Sequence, residues 1–137
     1  MDKLFPSTKI YLSNSFIPKA GRGVFSIGTF HKEETIEICP VIEIPKNQIP
    51  LLIKTELVNY FFSWDKHFDA GAICLGFGSM YNHSYSPNAM YIKRVQESLI
   101  EFVALREIKK HEEITVNYNG KPDDTRRLWI KSIPPHI

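Results

Sequence analysis

Nine prolines and seven glycines are spread along the 137 residues as punctuation, and the apolar runs between them are short. A chain interrupted this often is expected to build many short strands rather than long helices. Ile10 to Leu12 and Val24 to Ile27 are brief apolar runs flanking Pro18-Lys19-Ala20-Gly21-Arg22-Gly23, a glycine-rich turn. From Thr35 to Ile44, isoleucines stand at 36, 38, 42 and 44 with glutamates at 37 and 43. That alternation predicts a strand, with Pro40 marking an edge or a bulge within it. Further strands are expected at Ala72 to Leu75, Ala89 to Val95, Leu99 to Leu105 and Glu113 to Tyr118, with Gln96-Glu97-Ser98 as a hairpin loop. Lys109 to Glu112 reads as a charged, solvated turn. One helix is predicted, from Leu51 to Phe62 after Pro50, on the broad apolar face of Leu51, Ile53, Leu57, Val58, Tyr60, Phe61 and Phe62. Strands without regular βαβ alternation argue against a doubly wound sheet and for a mainly β fold of several small sheets with short helices.

The length is that of one domain, and 43% apolar residues suffice for a core, so residues 1–137 are expected to form a single unit. A balance of 17 Lys and Arg against 15 Asp and Glu names no nucleic-acid partner. Lys109, Lys110, Arg126 and Arg127 read as solvated surface, so nucleic acid is expected only indirectly. Cys39 and Cys74 stand singly among apolar neighbours, without metal-ligand spacing, and are expected to be buried free thiols, with no metal site. No run approaches the roughly 20 apolar residues of a membrane span, so no membrane contact is expected and an intracellular location is, in cytoplasm or nucleus.

Three segments could carry chemistry. Gly21-Arg22-Gly23 lets a ligand approach the main chain closely, as a glycine loop does for charged ligands, though taken alone a hairpin turn explains it better and it is not GxGxxG. Asn82-His83-Ser84 with Pro87-Asn88-Ala89 is rich in turn formers, and a polar loop accounts for it better than a general base at His83. In Glu113-Ile114-Thr115-Val116-Asn117-Tyr118, alternation brings Ile114, Val116 and Tyr118 to one face. The Tyr118 phenol is then either a core aromatic with a satisfied hydroxyl or the floor of a pocket.

In that order, Gly-x-Gly-Val-Phe, Asn-His-Ser-x-x-Pro-Asn-Ala and Glu-Glu-Ile-Thr-x-x-Tyr resemble the SET-domain protein lysine methyltransferases, over about residues 9–129. The short length and the Leu-Gly-Phe-Gly segment leading into Asn-His-Ser are similar to the minimal viral-type members. The resemblance implies the SET (β-clip) fold with a knot-like C-terminal segment. It also implies transfer of a methyl group from S-adenosylmethionine to the ε-amine of a lysine on a protein, including histone tails. A SET-fold module that binds a peptide or protein without transferring methyl groups is the alternative.

Carried onto this sequence, the family's cofactor contacts fall on Gly21, Arg22, Gly23, Asn82 and His83, with His83 acting mainly through its backbone. Trp129 matches an aromatic that covers the adenine ring; capping the core is its other reading. Tyr118 matches the catalytic tyrosine. Tyr60, Tyr81, Val116 and Tyr118 match the walls of the lysine channel, although Tyr60 reads equally as a buried helix residue. The family often places Phe or Tyr two residues before the catalytic tyrosine, and Val116 stands there instead, so another residue must narrow the channel or leave it wide. Neither a cysteine cluster before the domain nor a zinc-binding segment after it is expected, and closure of the channel falls to residues 119–137, a partner or the bound peptide. A homodimer and, for a viral or bacterial effector, the host nucleus complete what the resemblance implies.

Overall fold

The alternation from Thr35 to Ile44 forms the longest strand, β3 (Thr35–Ile44), and its pairing changes partner at Pro40. The computed structural model describes residues 3–65 and 69–128. Up to Pro40, β3 pairs antiparallel with β8 (Leu99–Ala104); from Val41 it pairs antiparallel with β5 (Ala70–Cys74). Pro40 has no N–H to give, and it stands at the hand-over, where its carbonyl accepts from the Leu75 N–H at 3.0 Å. The expected edge is therefore not found: β3 is interior, and its register shift lies between Thr35 and Glu37. β4 (Phe61–Trp64) and β7 (Ala89–Arg94) complete this sheet in the order β4-β5-β3-β8-β7. The sheet curls, because its two outer strands touch. The Phe62 and Tyr91 rings meet edge to face at 5.1 Å, and the Lys93 amine donates to Ser63 Oγ at 2.8 Å.

The second sheet has the order β1-β2-β9-β6, from β1 (Ile10–Asn14), β2 (Arg22–Ser26), β6 (Asn82–His83) and β9 (Glu113–Val116). β9 lies antiparallel to β2, with Val24 opposite Ile114, and parallel to β6, with Asn82 opposite Thr115 and His83 opposite Val116. Val24, Ile100, Phe102, Ile108 and Ile114 are fully buried between the sheets, and each contributes about 1.5–3 kcal/mol by leaving water. Cys39 and Cys74 are buried and free, as expected.

The helix expected from Leu51 to Phe62 does not form. The segment instead holds a 3-10 turn (Lys46–Gln48), a single helical turn α1 (Ile49–Leu52), a second 3-10 turn (Glu56–Asn59) and then β4. Thr55 interrupts it: the residue is extended, and its hydroxyl accepts from the Leu57 N–H to cap the second turn. Beyond it, Phe61, Phe62 and Trp64 are aromatic strand formers that pair with β5, so tertiary pairing overrides the helical spacing. The predicted inward face is partly exposed, with Leu51, Ile53 and Leu57 at the surface.

Leu75-Gly76-Phe77-Gly78 turns sharply under β3 because both glycines are pressed against buried side chains. A Cβ on Gly76 would lie 2.5 Å from Glu37 Oε2, and one on Gly78 would lie 2.1 Å from Cys74 Sγ. Replacing Gly78 with alanine is therefore expected to cost about 1–3 kcal/mol through overpacking. Thermal melts of Gly78→Ala should show the loss, and Cys74→Ala in the same chain should restore part of it.

Candidate active site

β9 carries two of the three segments into contact. Because β6 runs parallel beside it, Asn82 lies next to Thr115, and because β2 runs along its other side, the glycine turn lies within reach of Asn82. Asn82 Nδ2 donates to the Arg22 carbonyl and to Glu113 Oε2, both at 2.9 Å. With both amide hydrogens engaged, its Oδ1 is left as the acceptor. Gly21 has φ +77°, the left-handed conformation that glycine supplies at least cost, and the Ser15 N–H donates to its carbonyl at 2.8 Å. Gly23 is required for a different reason: a Cβ there would lie 2.4 Å from Glu113 Oε2 and 3.0 Å from Asn82 Nδ2.

His83 is buried, and its Nδ1 accepts the Tyr118 N–H at 3.0 Å. That bond requires a neutral ring protonated on Nε2, and burial pushes its pKa down to about 4. Nε2 is buried with no hydrogen-bond partner among the described residues; the ring meets Tyr85 edge to face at 4.4 Å. His83 therefore positions the backbone of Tyr118.

Tyr118 stands two residues past the end of β9, and its hydroxyl donates to the Tyr81 carbonyl at 2.5 Å. Burial, reinforced by Tyr60, Tyr91 and Glu113, holds its pKa well above the usual phenol value, so the hydroxyl keeps its proton. Tyr81 contributes that carbonyl while its ring is in the core, stacked on Phe102 at 4.2 Å with its hydroxyl donating to Glu37 Oε1 at 2.8 Å. Glu37 also accepts the Phe77 N–H at 3.0 Å, so one buried carboxylate holds both the Tyr81 ring and the Leu-Gly-Phe-Gly turn. A cavity of about 370 Å³ opens in front of Tyr118, walled by Tyr60, Phe62, Tyr91, Val116 and Lys93. Trp129 lies outside the described residues.

Phe62, read from sequence as part of a helix face, and two residues of β7 escaped the sequence reading of the wall. Tyr91 sits on an ordinary alternating strand, yet its hydroxyl donates to the Tyr118 carbonyl at 3.2 Å, and burial raises its pKa to about 12. Lys93, two residues along the same strand, brings an amine into the wall, where burial lowers its pKa to about 8. Only the curling of the sheet directs either side chain to this cavity. The arrangement offers main-chain carbonyls and an amide acceptor around Asn82, an aromatic-walled cavity, and a protonated phenol in the wall of that cavity.

A sequence profile of the SET domain matches residues 21–119. A Schizosaccharomyces pombe histone-lysine N-methyltransferase, specific for H3 lysine 37, is 33% identical over 114 residues, covering 82% of this chain and 72% of the relative. A crystal structure of a Plasmodium falciparum candidate histone methyltransferase superposes with TM-score 0.63 at 34% identity, covering 80% of this chain and 92% of the other. The fold is also similar to part of Chaetomium thermophilum polycomb repressive complex 2 bound to S-adenosylmethionine, with TM-score 0.70 at 19% identity, over 83% of this chain and 15% of that one.

A buried neutral His83 has a consequence for stability. Its folded pKa of about 4 lies below the unfolded 6.5, so its contribution is complete above 6.5 and is lost as pH falls towards 4. The difference in urea midpoint between the natural chain and His83→Gln should narrow as pH is lowered through that window. A difference that stays constant with pH would contradict the assignment.

Proposed function

This chain belongs to the SET-domain family of S-adenosylmethionine-dependent protein-lysine methyltransferases, and from that premise we propose how its own residues divide the work. The glycine turn at Gly21, Arg22 and Gly23 with Asn82 holds the methionyl end of the cofactor, and the backbone around His83 faces its adenine. The residues fit such a group: the turn admits close main-chain approach, and the Asn82 amide is held with its acceptor oxygen uncommitted, as an ammonium group requires. When bound, S-adenosylmethionine supplies a methyl group on a positively charged sulfur.

The cavity walled by Tyr60, Phe62 and Tyr91 receives the aliphatic part of the target lysine. An amine with a pKa of about 10.4 is mostly protonated at neutral pH, and an aromatic channel favours its uncharged form. The proton leaves to water, since Tyr118 retains its own and His83 is engaged with the Tyr118 main chain. Donation to the Tyr81 carbonyl fixes the Tyr118 hydroxyl and turns its lone pairs away from that carbonyl, towards the point where amine and methyl meet. Alignment rather than acid–base chemistry supplies most of the acceleration. The observation that carries this reading is the Tyr118–Tyr81 hydrogen bond at the wall of the cavity, one residue before Asn82, whose amide donates to the Arg22 carbonyl of the glycine turn.

The substrate is a lysine-bearing protein, and histone H3 is the class we assign, on the strength of the H3-specific relative with 33% identity. Val116 leaves its side of the channel open, and Tyr91 occupies the space from the neighbouring strand with its hydroxyl anchored on Tyr118.

Calorimetry should detect S-adenosylmethionine binding, and mass spectrometry of a histone H3 peptide should detect methylated lysine. Tyr118→Phe should fold with an unchanged melt and lose about 100-fold or more in transfer, the scale of removing one positioned polar group. Full turnover would place the catalytic role elsewhere. Removing the Tyr91 hydroxyl with Tyr91→Phe should free about one methyl group of space and shift the products towards higher methylation, read as added 14-Da steps.

A further inference from the structure

Glu113 takes no part in the steps above, yet it is the most heavily hydrogen-bonded carboxylate at the site. Its oxygens accept from Ser15 Oγ at 2.8 Å, from the Phe16 N–H at 3.0 Å and from Asn82 Nδ2 at 2.9 Å. The side chain is buried, and every one of these donors is neutral. Among the described residues, no Lys, Arg or His nitrogen lies within ion-pair distance of it. Burying a carboxylate is costly unless a cation offsets the charge. The charge lies directly under the glycine turn, close enough that any Cβ on Gly23 would collide with it.

We propose that Glu113 is a positioning residue for the α-ammonium group of the cofactor, holding the Asn82 amide so that Oδ1 faces that group and supplying the buried negative charge that complements it. The inference rests on the reading that the glycine turn and Asn82 hold the cofactor's methionyl end. Three observations support it. The carboxylate and the Arg22 carbonyl are both acceptors, so a reversed Asn82 amide would bring oxygen against oxygen on two sides. Ser15 and Phe16 fix the carboxylate from the loop that leads into the turn, so it cannot swing away from Asn82. The arrangement lacks a cation that this ligand brings with it.

The alternative is a scaffolding role, in which Glu113 ties the loop to β9 and any ligand suffers equally when it is lost. A ligand-by-residue cycle separates the two. Binding is measured by calorimetry for S-adenosylmethionine, S-adenosylhomocysteine and the S-adenosylhomocysteine analogue lacking the α-amino group, on the natural chain and on Glu113→Gln. A glutamine still accepts from the loop, but its amide removes the charge and sets nitrogen against Asn82 Nδ2. Affinity for the two amino-bearing ligands should fall about tenfold, while the desamino analogue changes by less than about twofold, a non-additive cycle. At saturating cofactor, kcat should stay within about threefold, so the effect falls on KM for the cofactor. Glu113→Asp keeps the charge but withdraws the oxygen from Asn82, and should give an intermediate loss with the same ligand selectivity; it carries the test if the glutamine variant melts early. An equal loss for all three ligands overturns the proposal and leaves the functional reading intact. A natural chain that binds no S-adenosylmethionine overturns both.

Discussion

The two-residue parallel pairing of Asn82 and His83 with Thr115 and Val116 is the contact on which the site depends. It sets the Asn82 amide beside the glycine turn and the His83 ring under the Tyr118 backbone, and it brings the Tyr118 hydroxyl to the Tyr81 carbonyl. Such a short strand pair contributes few ladder bonds of its own. It is sustained by side chains on both flanks, with Glu113 and Asn88 tying β9 to the loops around it: Asn88 donates to the Glu113 carbonyl at 2.8 Å and accepts the Thr115 N–H at 2.9 Å. Chemistry that relies on alignment needs this redundancy, because small displacements of the reacting groups are costly.

Two buried glutamates share the task of shaping the site. Glu37 gathers the Tyr81 hydroxyl and the Phe77 N–H on the side of the aromatic-walled cavity, whereas Glu113 gathers Ser15, Phe16 and Asn82 on the side of the glycine turn. Each stands where a glycine, Gly76 or Gly23, makes room for a carboxylate oxygen. The glycines of the motifs are thus explained by what lies beneath them as much as by backbone freedom. A hydrogen-bonded network of this kind rigidifies its surroundings only when every member is satisfied, which makes it sensitive to any single loss.

Most strands were legible, because alternation on a half-buried sheet leaves a period-two pattern, which β7, β8 and β9 show, whereas in β3 the isoleucine alternation marked the strand but not its inner face: Ile38 and Ile42 are exposed and Glu37 and Cys39 are buried. The segment from Leu51 to Phe62 misled because its apolar spacing fits a helix while the Thr55 cap and the pairing of Phe61 and Phe62 with β5 decide the outcome. β6 carried no local signal: Asn82-His83-Ser84 is turn-forming sequence, and its strand character exists only against β9. The same distinction applies to the site. Gly21, Gly23, Asn82, His83 and Tyr118 stand in recognisable motifs, whereas Tyr91 and Lys93 face the cavity only because β4 and β7 meet where the sheet curls. Glu113 was visible as a letter of a motif, but its neighbours Ser15 and Phe16 lie almost a hundred positions away along the chain.

The insertion of β9 between β2 and β6 also fixes an order of events during synthesis. β2 ends at Ser26, and its inner neighbour begins only at Glu113. A ribosome adding about 5–20 residues per second needs several seconds to span that gap. Throughout that interval β1 and β2 can form a hairpin whose inner edge has no partner, an open template for pairing with other nascent chains. The architecture that brings Asn82, His83 and Tyr118 together therefore leaves the newborn polypeptide dependent on a strand made long after β2.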